Sequence, residues 1–121
     1  MKTAHVLVVD DEPLNVEVLT RALQARGHRA TGADSAEAAA TALSCAVYDL
    51  ILLDHVLPGV TGMQSLGRLR ALTKAPIYIM SGCGGDDARK DAMLLGAAGF
   101  LPKPLDMAAL SAVIEALTAP P

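Results

Sequence analysis

Three consecutive carboxylates, Asp10, Asp11 and Glu12, follow directly on the apolar run Val6 to Val9 and are closed by Pro13. Adjacent like charges repel unless water, a cation or protonation relieves them. Two or three carboxylates side by side make a hard oxygen site suited to Mg2+, which takes one or two protein carboxylates and fills its shell with water and phosphate oxygens. Another acid, Asp54, ends the apolar run Leu50 to Leu53; Ser81 ends Pro76 to Met80, and Lys103 follows Gly99 to Leu101. An aspartate can be the nucleophile of phosphoryl transfer, forming an acyl phosphate. A lysine and a serine hydroxyl can hold the oxygens of the transferred group. Singly, each residue has a plainer reading: Asp54 as a helix cap or turn residue, Ser81 as a loop serine, Lys103 as a solvated charge. Their shared position at the ends of apolar runs makes them a set.

Those runs alternate with helical patterns. A strand over residues 4–9 leads into a helix patterned on Leu14, Val18, Leu19, Ala22 and Leu23, starting at Asp11 or Glu12 and ended by Gly27. A weak strand over 28–31 precedes Asp34 and Glu37, which read as a capping box opening an Ala-rich helix to about Ser44. Leu50 to Leu53 are apolar on consecutive positions, as in a central parallel strand covered on both faces. A turn on Pro58 and Gly59 leads to a third helix, residues 61–72, with Met63, Leu66 and Leu69 inward. The fourth strand, 76–80, precedes the glycine-rich segment 82–85 and a helix over 86–95. A short strand, 99–101, and a last amphipathic helix to about Leu117 complete the pattern. Five strands alternating with five helices imply an α/β three-layer sandwich with a mainly parallel sheet. In such a sheet functional groups gather outside the carboxyl ends of the strands, where Asp10, Asp11, Asp54, Ser81 and Lys103 all fall.

The 121 residues suffice for one domain, expected over 1–118, with 119–121 as a tail or the start of a linker. A hydrophobic share of 52% with 2% aromatic residues makes Ala, Leu and Val the core formers. The net charge of -3 comes without a basic stripe, so no direct nucleic-acid contact by this domain is expected. Cys45 and Cys83 lack metal or disulfide spacing and are expected as small core or loop residues. No signal-peptide pattern and no transmembrane run is present, so a cytoplasmic protein without membrane contact is expected.

The segments "VLVVDDEP", "DLILLDHVLPGVTG", "YIMSG" and "GFLPKP", in this order, resemble the response-regulator receiver domains of two-component signalling over essentially the full chain. The resemblance implies a flavodoxin-like (βα)5 fold with strand order 2-1-3-4-5. It implies Asp54 as phosphoacceptor and Mg2+ held by Asp10, Asp11, Asp54 and the backbone carbonyl of Val56. Ser81 and Phe100 become the switch residues, with Gly82 the small residue after Ser81, and Lys103 the cation that pairs with the phosphoryl group before a cis Lys-Pro bond. The implied donor is a phosphohistidine on a sensor histidine kinase or phosphotransfer protein. Output to an effector domain or separate protein is expected at the face of the fourth helix, fifth strand and fifth helix. Dimerisation through that face is left open, with Met93, Leu94 and Leu95 as core or interface.

Phe100 has no phenolic hydroxyl, so a switch there works by packing alone. Thr61 stands where an acid is common in the family and reads as a helix cap. His55, next to the nucleophile, reads as a partly exposed loop residue. Two alternatives remain: a Mg2+-dependent phosphohydrolase, which needs a second acid two residues after its nucleophile where this chain has Val56, and a phosphorylation-independent interaction module, which predicts a damaged site. Slow hydrolysis of the acyl phosphate is expected, without turnover of an external substrate.

Overall fold

Val6 to Val9 and Leu50 to Leu53 are completely buried, residue after residue, because helices cover both faces of the sheet they form. The computed structural model of the chain describes residues 3–57, 60–82, 86–103 and 105–118, by backbone alone at 56–57, 60–63, 86–88, 91 and 118. Strands β1 (His5–Val9), β2 (Arg29–Ala33), β3 (Leu50–Asp54), β4 (Ile77–Ser81) and β5 (Gly99–Pro102) form one sheet in the order β2-β1-β3-β4-β5, and every pair is parallel. The helices are α1 (Pro13–Ala25), α2 (Ala36–Cys45), α3 (Gly62–Arg70), α4 (Asp86–Leu94) and α5 (Met107–Thr118). The fold and strand order are those implied by the resemblance. Among the described residues, no helix is long and apolar enough to cross a membrane.

Alternation along the strands divides the core. Leu7, Val9, Ile51, Leu53, Ile77 and Ile79 pack with residues of α2, α3 and α4. Val6, Val8, Leu50, Leu52, Met80 and Leu101 pack on the other face with Leu19 and Leu23 of α1 and Leu110 and Ile114 of α5. Leu66 and Leu69 point inward as expected; the side chain of Met63 and the turn residues Pro58 and Gly59 lie outside the described residues. A short antiparallel ladder, Val56–Leu57 with Val60–Thr61, follows β3 where the sequence suggests only a turn. Thr61 thus sits in a ladder immediately before α3, and its side chain is outside the described residues.

Several expectations are corrected. Leu14 and Val18 are exposed, at 67% and 58%, not part of the inward stripe. The helix is rotated so that Val16 occupies the space left by the missing Cβ of Gly32 on β2, and Leu19 and Leu23 then follow inward. The cap of α2 is Ser35, whose Oγ accepts the Ala38 N–H at 3.1 Å; Asp34 and Glu37 form no capping box. Cys45 is exposed at the last residue of α2, outside the core, and Cys83 falls outside the described residues. His28 does not start β2: its N–H donates to Leu23 O, closing α1 after Gly27 at φ +85°, and its Nδ1 accepts the Ala4 N–H. Gly96, at φ +106°, closes α4 in the same way, so Met93, Leu94 and Leu95 are exposed and not core.

Gly99 is required by contact: a Cβ there would overlap the Tyr78 ring on the neighbouring strand, and the two residues are paired in register. A Cβ at Gly82 would lie 3.8 Å from Lys103 Cβ, an ordinary contact. Gly99→Ala is therefore expected to lose about 1–3 kcal/mol of stability in urea denaturation, the usual loss from overpacking. Gly82→Ala should stay within about 0.5 kcal/mol of wild type.

Candidate functional site: an acidic pocket with one lysine

The alternation that sorts the core also aims the charges. Asp10 continues the Val6, Val8 phase of β1, Asp54 the Leu50, Leu52 phase of β3, and Lys103 the Leu101 phase of β5. All three side chains therefore leave the carboxyl edge toward the same side. Ser81 and Phe100 carry the opposite phase, and Phe100 is half-buried against the core under α2, α3 and α4.

Backbone bonds hold these positions just beyond the strand ladders. Asp10 N–H donates to Ala33 O at 3.0 Å, His55 N–H to Met80 O at 2.9 Å, and Lys103 N–H to Ser81 O at 2.8 Å. Asp10 and Asp54 are buried, at 1% and 6% exposure, whereas Asp11 is exposed. One Asp10 oxygen accepts the Glu12 N–H at 3.0 Å, fixing the turn into α1, and Glu12 is the N-cap residue ahead of Pro13. The other faces Lys103 Nζ at 3.4 Å, and the same Nζ donates to Asp54 Oδ1 at 3.0 Å.

Burial lowers the affinity of the Lys103 amine for its proton, but pairing with Asp54, and then with Asp10, outweighs it and raises its pKa above the ordinary 10.5. Carboxylate oxygens of Asp10, Asp11 and Asp54 converge within 4.8 Å of one another. Buried charges are tolerable only when paired. A pocket of oxygen donors with an exposed acid at its mouth could hold a metal ion. The structure thus brings Asp10, Asp11, Asp54 and Lys103 together. Ser81 is buried at the adjoining strand end, and Gly82 follows it in a bend. The backbone of Val56 opens the short ladder just after Asp54. Pro104, and with it the expected cis bond, lies outside the described residues.

The response regulator receiver domain, as a sequence family, matches residues 6–115. The chain belongs to that family. The receiver is 35% identical over 113 residues to the transcriptional activator protein PfeR of Pseudomonas aeruginosa, covering 93% of this chain and 37% of that protein. It is 32% identical to the transcriptional regulatory protein YvrH of Bacillus subtilis, covering 96% of this chain and 49% of the relative. The chain spans half or less of the length of these two relatives. Among solved structures, a two-component response regulator from Clostridium difficile superposes with a TM-score of 0.90 at 28% identity, covering 96% of this chain and 95% of that one. A response regulator receiver protein from Pseudomonas putida gives 0.86 at 32% identity, covering 96% and 98%.

Two features of the receiver site were not read from the sequence. A cavity of about 520 Å3 opens between α1 and α5 beside Asp10 and Lys103, with Val18, Met80, Leu105 and Met107 in its lining. Leu14 and Val18, one turn apart, continue this apolar surface onto exposed α1. Their spacing was visible, but an apolar pair on a helix reads as core unless the rotation of the helix is known. The second feature is at His55, half-buried, whose Nδ1 has no hydrogen-bond partner.

Because pairing raises the Lys103 pKa, its contribution to stability is complete below 10.5 and is lost as pH rises through the higher folded-state value. Lys103→Met is expected to be less stable than wild type at pH 7 in metal-free buffer, by about 1–2 kcal/mol for a lost charged hydrogen bond. Urea midpoints taken across pH should show that gap closing above 10.5.

Proposed function

We propose that this receiver takes a phosphoryl group from a phosphohistidine of a sensor histidine kinase or phosphotransfer protein onto Asp54, and that the change is read at the face of α4, β5 and α5. The observation that carries this reading is the Lys103 ammonium set between buried Asp54 and Asp10, which is a charge arrangement suited to an incoming phosphoryl group.

An Asp54 oxygen attacks phosphorus while the P–N bond of the phosphohistidine breaks, its electron pair remaining on the imidazole. Phosphoryl transfer asks mainly for positioning and charge stabilisation. Asp10, Asp11 and Asp54, with the Val56 carbonyl, would hold Mg2+, which when bound supplies positive charge to the acids and the phosphoryl oxygens. The all-oxygen donor set fits that ion. Lys103 exchanges its contact with the Asp54 carboxylate for one with a phosphoryl oxygen, remaining a mobile point charge. The exposed Leu14 and Val18 and the apolar cavity that Val18 lines with Asp10 and Lys103 give the donor domain a surface beside the acidic pocket.

The new dianion draws the Ser81 hydroxyl toward it as a donor. Ser81 and Phe100 lie on the same side of the sheet, on neighbouring strands, with Ile79 paired to Phe100. A shift at Ser81 therefore changes the packing of Phe100 and the seat of α4. This is a shift of population between two packings of one fold. Water later hydrolyses the acyl phosphate, returning the carboxylate.

Incubation with acetyl phosphate and Mg2+ is expected to add one phosphoryl group to Asp54 by intact mass and peptide mapping. Asp54→Asn should abolish labelling, and chelation of the metal should suppress it. Absence of label on folded wild type would refute the reading, and multiple turnover of phosphate esters would favour a phosphohydrolase. Lys103→Ala should still accept some label yet lose the NMR shift changes at β5 and α4 that wild type shows. Equal shifts in both would remove Lys103 from the coupling.

A further inference from the structure

β2 is an edge strand, and its start meets the segment that links α2 to β3 at the amino edge of the sheet, opposite the acidic pocket. His5, the first residue of β1, ties the two together. Its N–H donates to Asp49 Oδ2 at 2.8 Å, and its carbonyl accepts the Asp49 N–H at 2.8 Å. Its ring stacks, tilted, 4.2 Å from that of Tyr48. Nδ1 lies 3.2 Å from Val47 O, and Nε2 lies 2.9 Å from Thr31 Oγ1 on β2. A carbonyl only accepts, so Nδ1 carries the proton of the neutral ring and Nε2 accepts from the Thr31 hydroxyl. Both ring nitrogens are thus used, one on the connecting segment and one on the edge strand.

A second proton, on Nε2, reverses the Thr31 bond and sets a positive charge across the ladder from Arg29, which is paired with His5 in register. Burial, and then Arg29, hold the His5 pKa below the ordinary 6.5, outweighing the Val47 carbonyl and Asp49, which favour the proton. His5 is in phase with Leu7 and Val9, so it faces the side of α2, whose last turn, Ala42 to Cys45, has no charged residue. His28 is in phase with Ala30 on the other face, where it accepts the Ala4 N–H. Arg26, at the end of α1, is turned back to Ala22 O at 3.3 Å, and Glu115 of α5 is exposed.

We propose that His5 is a proton-sensitive latch: the neutral ring fastens residues 46–49 to β1 and β2, and its protonation releases that segment and the start of β2 while the centre of the sheet keeps its form. The latch stands apart from the phosphoacceptor reading and works from the opposite edge. Because the folded ring resists the proton, the released segment takes it first as pH falls. The latch is therefore complete above 6.5 and is lost as pH drops below that, through the lower value held in the fold. Opening at the edge of a sheet costs less than opening its centre, so the released state is one loosened flank of a folded domain.

Hydrogen exchange followed by NMR on the whole chain, across about pH 8 to 5 and corrected for the intrinsic rate, tests the latch. Protection of the Asp49 and Arg29 amides, which donate to His5 O and Ala4 O, is expected to fall severalfold toward acid, while that of Leu52 on β3 stays level. His5→Asn keeps a donor for Val47 O without a titrating ring, so its protection should be the same at every pH. The wild-type His5 ring, titrated by NMR, should take its proton below 6.5, and Arg29→Gln should move that midpoint upward. A midpoint at or above 6.5, a response that persists in His5→Asn, or a parallel fall at Leu52 would overturn the proposal. Circular dichroism checks that each variant is folded. Should His5→Asn fail to fold, the ring midpoints of wild type and Arg29→Gln decide.

Discussion

The rest of the site depends on one electrostatic constraint, two carboxylates buried within reach of each other at the edge of an apolar sheet. Asp10 and Asp54 are held there by backbone hydrogen bonds and strand pairing, with both side chains buried. Lys103 makes the arrangement tolerable by placing one positive charge between them. The same tension makes the pocket receptive, because a folded protein with excess buried negative charge favours any cation that enters it. On the proposed function, a phosphoryl group would bring more negative charge, which Lys103 and a divalent ion would share. The feature that bears on stability is thus also the one on which the proposed function rests.

The sheet is what delivers the acids. Period-two alternation means that a residue one step beyond a buried strand has its direction already decided. Asp10, Asp54 and Lys103 come from three strands and meet because each is in phase with the α1/α5 side of the core. Ser81 and Phe100 come out of phase with them and so belong to the side that α4 covers. On the proposed function, a chemical event among the first group would reach the second across the thickness of one sheet.

Much of this was legible in the sequence. Consecutive apolar residues at Leu50 to Leu53 announced a strand covered on both faces, and the polar residues ending the runs marked the edge where Asp10, Asp11, Asp54 and Lys103 gather. The strand order was not readable from composition or spacing and came from family resemblance, because parallel pairing is decided by long-range packing. Helix details failed where a local pattern had two solutions. Leu14 and Val18 form an apolar pair as regular as the buried one, and the inward stripe is the one whose Val16 fits against Gly32, far away in sequence. Asp34 and Ser35 are both good caps, and the choice depends on where β2 releases the chain.

The bond from Lys103 N–H to Ser81 O has a mechanical meaning. Lys103 follows β5 and Ser81 ends β4, and their main chains are tied at the carboxyl edge although their side chains leave the sheet in opposite phase. Moving either main chain at this point strains or breaks that bond, so the two segments are mechanically coupled.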